Sequence, residues 1–237
     1  NDSLVFIGYT FGKMQIWNIR TQKVEQEFTT GNIGNRSSSS INDIQTASGG
    51  SIIISSGYSG IYIFNPVTRQ FQQYIHEPYN PFSPAANNTD EIYCENNGNV
   101  YVTTSEAGLI LFNVKKYSAV TVPFFKDAGN RLYDNYVNQI VKDNRNRIWL
   151  AAFDHLIEWD PTINASRFYH YPYLVKGVGQ RNIEIKTICI DQHGKLWAGS
   201  RGAGLGVLDF ATGKFKIYNN VYSGKDPVYR HNYIYYL

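Results

Sequence analysis

No stretch of this sequence approaches the ~18 consecutive apolar residues that a membrane-crossing helix needs, so no such span lies within it. Only two cysteines occur in 237 residues, too few for the disulfide scaffold of a small secreted domain. Net charge is +3 with no dense basic run, which excludes the footprint of a nucleic-acid-binding surface. No Gly-x-Ser-x-Gly elbow is present, so that route to a nucleophilic serine is closed. The five histidines, His76, His155, His170, His193 and His231, include no His-x-x-x-His pair, so neither a metal nor another cofactor is expected. Gly202-Ala203-Gly204-Leu205-Gly206 looks like a nucleotide-binding glycine run. That motif opens a helix, whereas here a strand pattern follows. The chain starts with neither Met nor a signal peptide, and Asn1 runs almost directly into a strand. This start reads as that of an excised segment or a trimmed ectodomain.

What the sequence does have is short apolar runs separated by Gly, Asp and Asn turns, with 15% aromatic residues, mostly its 19 tyrosines. The most regular stretch is residues 185–218. An apolar run ends at the turn Asp191-Gln192-His193-Gly194, and a second run centres on Trp197. A turn at residues 201–204, a third run, the turn Ala211-Thr212-Gly213 and Phe215–Tyr218 follow. This is the pattern of four short antiparallel strands.

The unit recurs. Trp197, Trp149, Tyr101 and Ile53 are each 48 residues apart, and a last step of 47 reaches Phe6. Ile44, Ile92, Ile140 and Ile188 hold the same spacing in the opening strand. Two further landmarks are the end of the third strand (Trp17-Asn18, Phe64-Asn65, Phe112-Asn113, Trp159-Asp160, Phe210) and a closing F-x-x-Y (Phe71 and Tyr74, Phe168 and Tyr171, Phe215 and Tyr218). A period near 48 with four strands per unit is that of a β-propeller blade. One four-stranded sheet cannot bury both faces alone; stacked radially, each covers its neighbour. The large residue at the Trp197 position is expected to fill the space between blades.

The expected fold is therefore all-β, a propeller of about five blades in one segment spanning residues 1–237. The blades fall at 1–28 (lacking the opening strand), 41–74, 89–122, 137–171 and 185–218, and 231–237 reads as an isolated opening strand. The ends are complementary. They suit a five-blade ring closed by that exchange, which removes two exposed edges, and equally a cut from a longer array. Cys94 and Cys189 are 95 residues apart, one position off the repeat. One residue flips the face of a strand, so two separate thiols are expected.

The unit resembles the two-component regulator propeller repeat. The match is best from Ile188 through Asp191-Gln192-His193-Gly194-Lys195-Leu196-Trp197-Ala198-Gly199-Ser200 to Gly204-Leu205, good over 137–171 and degenerate elsewhere. WD-repeats fit less well, because the Gly-His element is missing. Sialidase Asp-boxes fail on the spacing of Asp191 and Gly194. The resemblance implies the periplasmic sensor of a hybrid two-component receptor in a Bacteroides-type bacterium, with glycan fragments as typical ligands. It also implies a membrane helix, a histidine kinase, a receiver and DNA-binding modules outside this segment.

Function on such a scaffold is expected in the loops, where second turns and long inter-blade loops emerge on one face. Sugar recognition needs flat aromatic faces and bidentate polar groups. The candidate ligand-binding residues are Arg36, Tyr79, Arg131, Tyr133, Asp154, Tyr173, Arg181 and Arg201. No catalytic set converges. Asp143 and Asp191 read as first-turn residues bonding their own backbone. The sequence thus points to a non-catalytic module that binds an oligosaccharide, self-associates as a receptor dimer and meets the membrane only through its parent protein. Two alternatives stay open: a propeller for protein contacts without its own ligand, and a propeller-fold polysaccharide lyase or glycosidase.

Overall fold

A computed structural model of the chain describes residues 3–30, 40–114, 118–122, 136–163, 165–172, 183–218 and 233–237. Among the described residues there is no helix, and nineteen strands form five antiparallel sheets. The first sheet has three strands, Leu4–Gly8, Lys13–Asn18 and Lys23–Thr29. The second comprises Ile41–Thr46, Ile52–Ser56, Gly60–Asn65 and Gln70–Tyr74. The third comprises Thr89–Cys94, Asn99–Thr104, Gly108–Asn113 and Ser118–Val122. The fourth holds Val137–Lys142, Ile148–Ala152, His155–Asp160 and Ala165–His170. The fifth holds Glu184–Ile190, Leu196–Arg201, Gly204–Asp209 and Lys214–Tyr218. Each sheet keeps its strands in chain order, the arrangement of a propeller blade. The chain divides into two compact units, Asn1–Phe124 with the first three sheets and Phe125–Leu237 with the last two.

Side-chain alternation explains the stacking. Strand residues point to opposite faces in turn. Ile52 and Ile54 therefore pack with Met14, Ile16 and Phe64 against the first sheet. Ile53, between them, packs with Ile92, Val100 and Phe112 toward the third. Covered on both faces, Ile52–Ser56 is buried throughout, and its first three residues form a continuous apolar run. Aromatic rings wedge the sheets apart. Phe28 stacks on Phe71 at 4.0 Å, Tyr74 meets Phe112 at 5.0 Å, and Tyr171 meets Phe215 at 4.8 Å. Trp149 is fully buried and meets Phe210 of the fifth sheet at 5.5 Å. Trp197 departs from the expectation: it is half-buried, and its ring neighbour is Tyr218 of its own sheet at 6.0 Å.

Two landmarks need correction by register. Phe71 faces Phe64 and Phe215 faces Leu208, but Phe168 faces Ile157, and Ser166 takes the equivalent place opposite Trp159. The closing F-x-x-Y thus recurs in sequence but slides by two residues in the fourth sheet. Likewise Leu208, not Phe210, stands where the other sheets have Phe64, Phe112 and Trp159. The residue after it is an Asx-turn acceptor: Asn18, Asn65, Asp160 and Asp209 each accept a backbone N–H two residues on.

Every complete sheet has a bulge in its opening strand, between Ile41 and Asp43, Thr89 and Ile92, Val137 and Gln139, and Ile185 and Thr187. A bulge re-aims side chains, and in the second and fourth sheets it aims them at the sheet that follows. Asn42 Nδ2 donates to Thr89 O at 2.8 Å and Asp43 Oδ2 accepts from Ile92 N at 2.9 Å. In the second unit Asn138 Nδ2 donates to Ile185 O at 2.6 Å, and Gln139 accepts from the Ile188 N–H. These polar stitches join successive opening strands where no ladder does. Burial pushes the Asp43 carboxyl above its ordinary value, against the N–H groups of Ile92 and Ile44. Both cysteines are free thiols, and burial, helped by the Asp43 charge, pushes Cys94 up to about 11.

The tail occupies the same kind of seat. Ile185 N donates to Phe153 O at 2.6 Å as the fifth sheet docks on the fourth. One repeat later Tyr233 bridges to Arg201, and Ile234 N donates to Ser200 O at 3.1 Å. A Cβ on Gly199 would lie 2.5 Å from Ile234 Cγ2, so the glycine makes room for that side chain.

Candidate functional site

In the four complete sheets the second turn, between the second and third strands, is built by one rule in three cases and broken in a fourth. In the second sheet Ser56 Oγ donates to Gly60 O and accepts from Ser59 N. In the third, Thr104 does the same with Gly108 O and Ala107 N, and in the fifth Ser200 with Gly204 O and Ala203 N. The glycine ends each three-residue turn at positive φ, 74°, 78° and 82°, where a side chain is strained.

The fourth sheet has none of this. Ala152 replaces the hydroxyl, the turn shortens to Phe153-Asp154, and His155 stands in the glycine's place, paired with Ala152. Phe153 takes the positive φ, at 30°. The ladder sets His155 directly opposite His170 on the closing strand. Their ring centroids are 4.8 Å apart. Asp154 Oδ1 lies 2.5 Å from His155 Nδ1 and its Oδ2 3.8 Å from His170 Nδ1. One donor atom from each of the three falls within 4.8 Å of the others. His155 is buried at 7% exposure in a T-shaped contact with Phe168, whereas half of the His170 side chain is open to solvent. Burial lowers the His170 imidazole below its ordinary value; the neighbouring His155 adds to that and Asp154 opposes it.

Of the residues expected to bind ligand, Asp154 thus lies in this cluster. Arg201 lies at the second turn of the next sheet, 4.0 Å from Glu184 Oε2 and 5.9 Å from the Tyr233 ring centroid. Glu184 in turn pairs with Lys186 at 2.5 Å and accepts from Asn138 at 3.3 Å, so this rim is a chain of alternating charge. Tyr79 is fully exposed in the loop 75–88 of the first unit. That loop is ordered by its own bonds: Asn80 N and Ser83 N each donate to a backbone carbonyl three residues back. Gly60 N donates to Asn87 O at 2.9 Å, which ties the long loop to a second turn and puts both on one face. Arg36, Arg131, Tyr133, Tyr173 and Arg181 lie outside the described residues.

Sequence spacing alone did not reveal the His155–His170 pair. The histidines are scattered along the chain, and none stands at the His-x-x-x-His spacing that a helix brings together. The usable signal was hairpin symmetry, since each stands five residues from its end of the Asp160–Ala165 turn.

No family profile matches the sequence, and no curated protein does. Solved structures do. The extracellular domain of the hybrid two-component system BT4673 from B. thetaiotaomicron matches all of this chain at 17% identity and a TM-score of 0.69. That of BT3049 from the same organism matches 99% at 18% identity and 0.67. The chain shares its fold with these extracellular domains. It spans 28% and 29% of their lengths. PorZ, a surface component of the type-IX secretion system of Porphyromonas gingivalis, matches 92% of this chain over 32% of its own length, at 13% identity and 0.66. One fold therefore stands in extracellular domains of two-component systems and in a surface component of a secretion system.

Proposed function

We propose that this chain is a sensing segment from the extracytoplasmic part of a hybrid two-component receptor, that it acts in the periplasm and that it is not itself an enzyme. The observation that carries the reading is the end-to-end fold match to two separate receptor ectodomains, at TM-scores of 0.69 and 0.67. Its ligand is an oligosaccharide, held on the face where second turns and long loops meet. Support comes from the side chains on that face. In the first unit exposed Tyr79 offers a flat apolar surface; within the second unit, taken by itself, the Glu184, Lys186 and Arg201 rim offers paired donors and acceptors for hydroxyls. Binding alters the packing or dimerisation of the receptor and so a kinase encoded elsewhere in the protein.

The likeness to PorZ favours a second reading, a propeller used for protein contacts without a ligand of its own. A glycan array probed with the recombinant chain, followed by a turnover assay on any bound glycan, separates the two. Binding without turnover is expected, weakened by Arg201→Ala or by Tyr173→Ala with Arg181→Ala. Absence of binding on the array overturns the glycan reading in favour of protein contacts, and turnover overturns the non-catalytic one.

A further inference from the structure

We propose that Asp154, His155 and His170 form a binding site for a divalent transition metal of the zinc class at the second turn of the fourth sheet. The inference is independent of the glycan reading.

Three observations converge. The first is the donor set. Two imidazoles and one carboxylate suit zinc, copper or nickel rather than calcium or magnesium, which take oxygen donors. The second is geometry. A tetrahedral ion with donors at ~2.1 Å sets them about 3.4 Å apart. The separations here run from 2.5 Å (Asp154 to His155) through 3.8 Å (Asp154 to His170) to within 4.8 Å for the whole set. Opening the first and drawing His170 inward by up to about 1.4 Å, a rotamer adjustment of an exposed side chain, brings all three into range. The backbone places are already fixed, because His155 and His170 are ladder partners. Three protein donors leave one position for water or an outside donor, on the side where His170 is open to solvent.

The third is the departure from the repeat. Three sheets close this turn with a hydroxyl and a glycine, Ser56 with Gly60, Thr104 with Gly108 and Ser200 with Gly204. The fourth gives up both, accepts a positive φ at Phe153 and buries an imidazole in the vacated place. Among the four complete sheets only this turn breaks the rule, and departures from a local rule are expected at functional or strained sites.

The test is a competition titration of the 237-residue chain with zinc chloride and a chelating dye at neutral pH. One equivalent is expected to bind. His170→Ala should weaken it at least about tenfold, the scale on which even outer partners of a metal ligand act. Being half exposed on an outer strand, His170 is replaceable without loss of the fold, and circular dichroism checks that. Asp154→Asn should weaken it likewise, and His193→Gln, at an exposed first turn, should change nothing. No saturable binding, binding unchanged in His170→Ala, or binding lost in His193→Gln each overturns the site.

Discussion

Asp191 Oδ2 accepts the indole N–H of Trp197 at 2.9 Å, and one repeat earlier Asp143 Oδ2 accepts that of Trp149 at 3.1 Å. The same carboxylates hold their turns: Asp191 Oδ1 accepts from His193 N and Lys195 N, and Asp143 Oδ1 from Arg145 N and Arg147 N. The two positions change together across the sheets. In the third, Tyr101 donates to Glu95 at 3.5 Å. In the second, Ala47 and Ile53 share an apolar cluster. A polar wedge comes with an acceptor six residues before it, because a buried N–H without a partner is costly.

Asp143→Ala is therefore expected to destabilise the chain by about 1–3 kcal/mol, the cost of leaving a buried donor unsatisfied. Urea denaturation followed by tryptophan fluorescence measures it. Asp191→Ala should cost less, because Trp197 is half-buried and water can serve its N–H. Equal costs would show that the bond contributes through the turn rather than through the indole.

Acid should unfold the chain through the same pair. The Trp197 indole first, then the Lys195 N–H, holds the Asp191 carboxyl below its ordinary value. For Asp143 burial pushes upward, but the bonds from Trp149 and Arg147 outweigh it, and the net shift is down. A carboxyl lowered in the folded state contributes stability that is full above its unfolded pKa and is lost as pH falls through the folded one. The loss should thus set in below about pH 4. In Asp143→Asn with Asp191→Asn the pH dependence of stability between pH 5 and 2 should flatten relative to wild type. An unchanged acid limb would assign the loss to other carboxylates.

Gly206→Ala tests the seating of the fifth sheet on the fourth. Tyr171 is fully buried, and its hydroxyl donates to Gly204 O at 3.1 Å. A Cβ on Gly206 would meet the Tyr171 ring at 2.8 Å. Overpacking of this kind costs about 1–3 kcal/mol. In a Tyr171→Leu background the same substitution should cost less, since contacting residues are not additive. Equal penalties in the two backgrounds would mean that the ring yields freely.

Much of this architecture was legible in the chain itself. Positions 53 and 149 were legible because each fills a gap between sheets, Ile53 toward the third and Trp149 toward the fifth, and only a large side chain does so. The Asp143 and Asp191 turns were legible because an Asx residue bonds its own backbone locally. The stitches were not. Asn42 and Asn138 read as ordinary strand residues until the bulge beside each turns it toward the next sheet; the only trace in the sequence is a pair of polar residues between apolar ones, Ile41 and Ile44 or Val137 and Ile140, where strict alternation would have one. The pairing of His155 with His170 depends on ladder register, which a one-residue shortening of the turn at Phe153 resets. For the same reason the F-x-x-Y of the fourth sheet is displaced.

The division between stitch and wedge has an evolutionary corollary. Contacts between rings and aliphatic chains are non-directional, so Phe64, Phe112, Trp159 and Leu208 can stand at one position and leave the sheets in place. Such drift is tolerated as long as volume is kept. The amide and carboxylate groups at 42, 43, 138 and 139 act through aimed lone pairs and protons and have no comparable latitude. Ancestry in these repeats should therefore be traced from the polar pair beside each bulge, where the chain has had least freedom to wander.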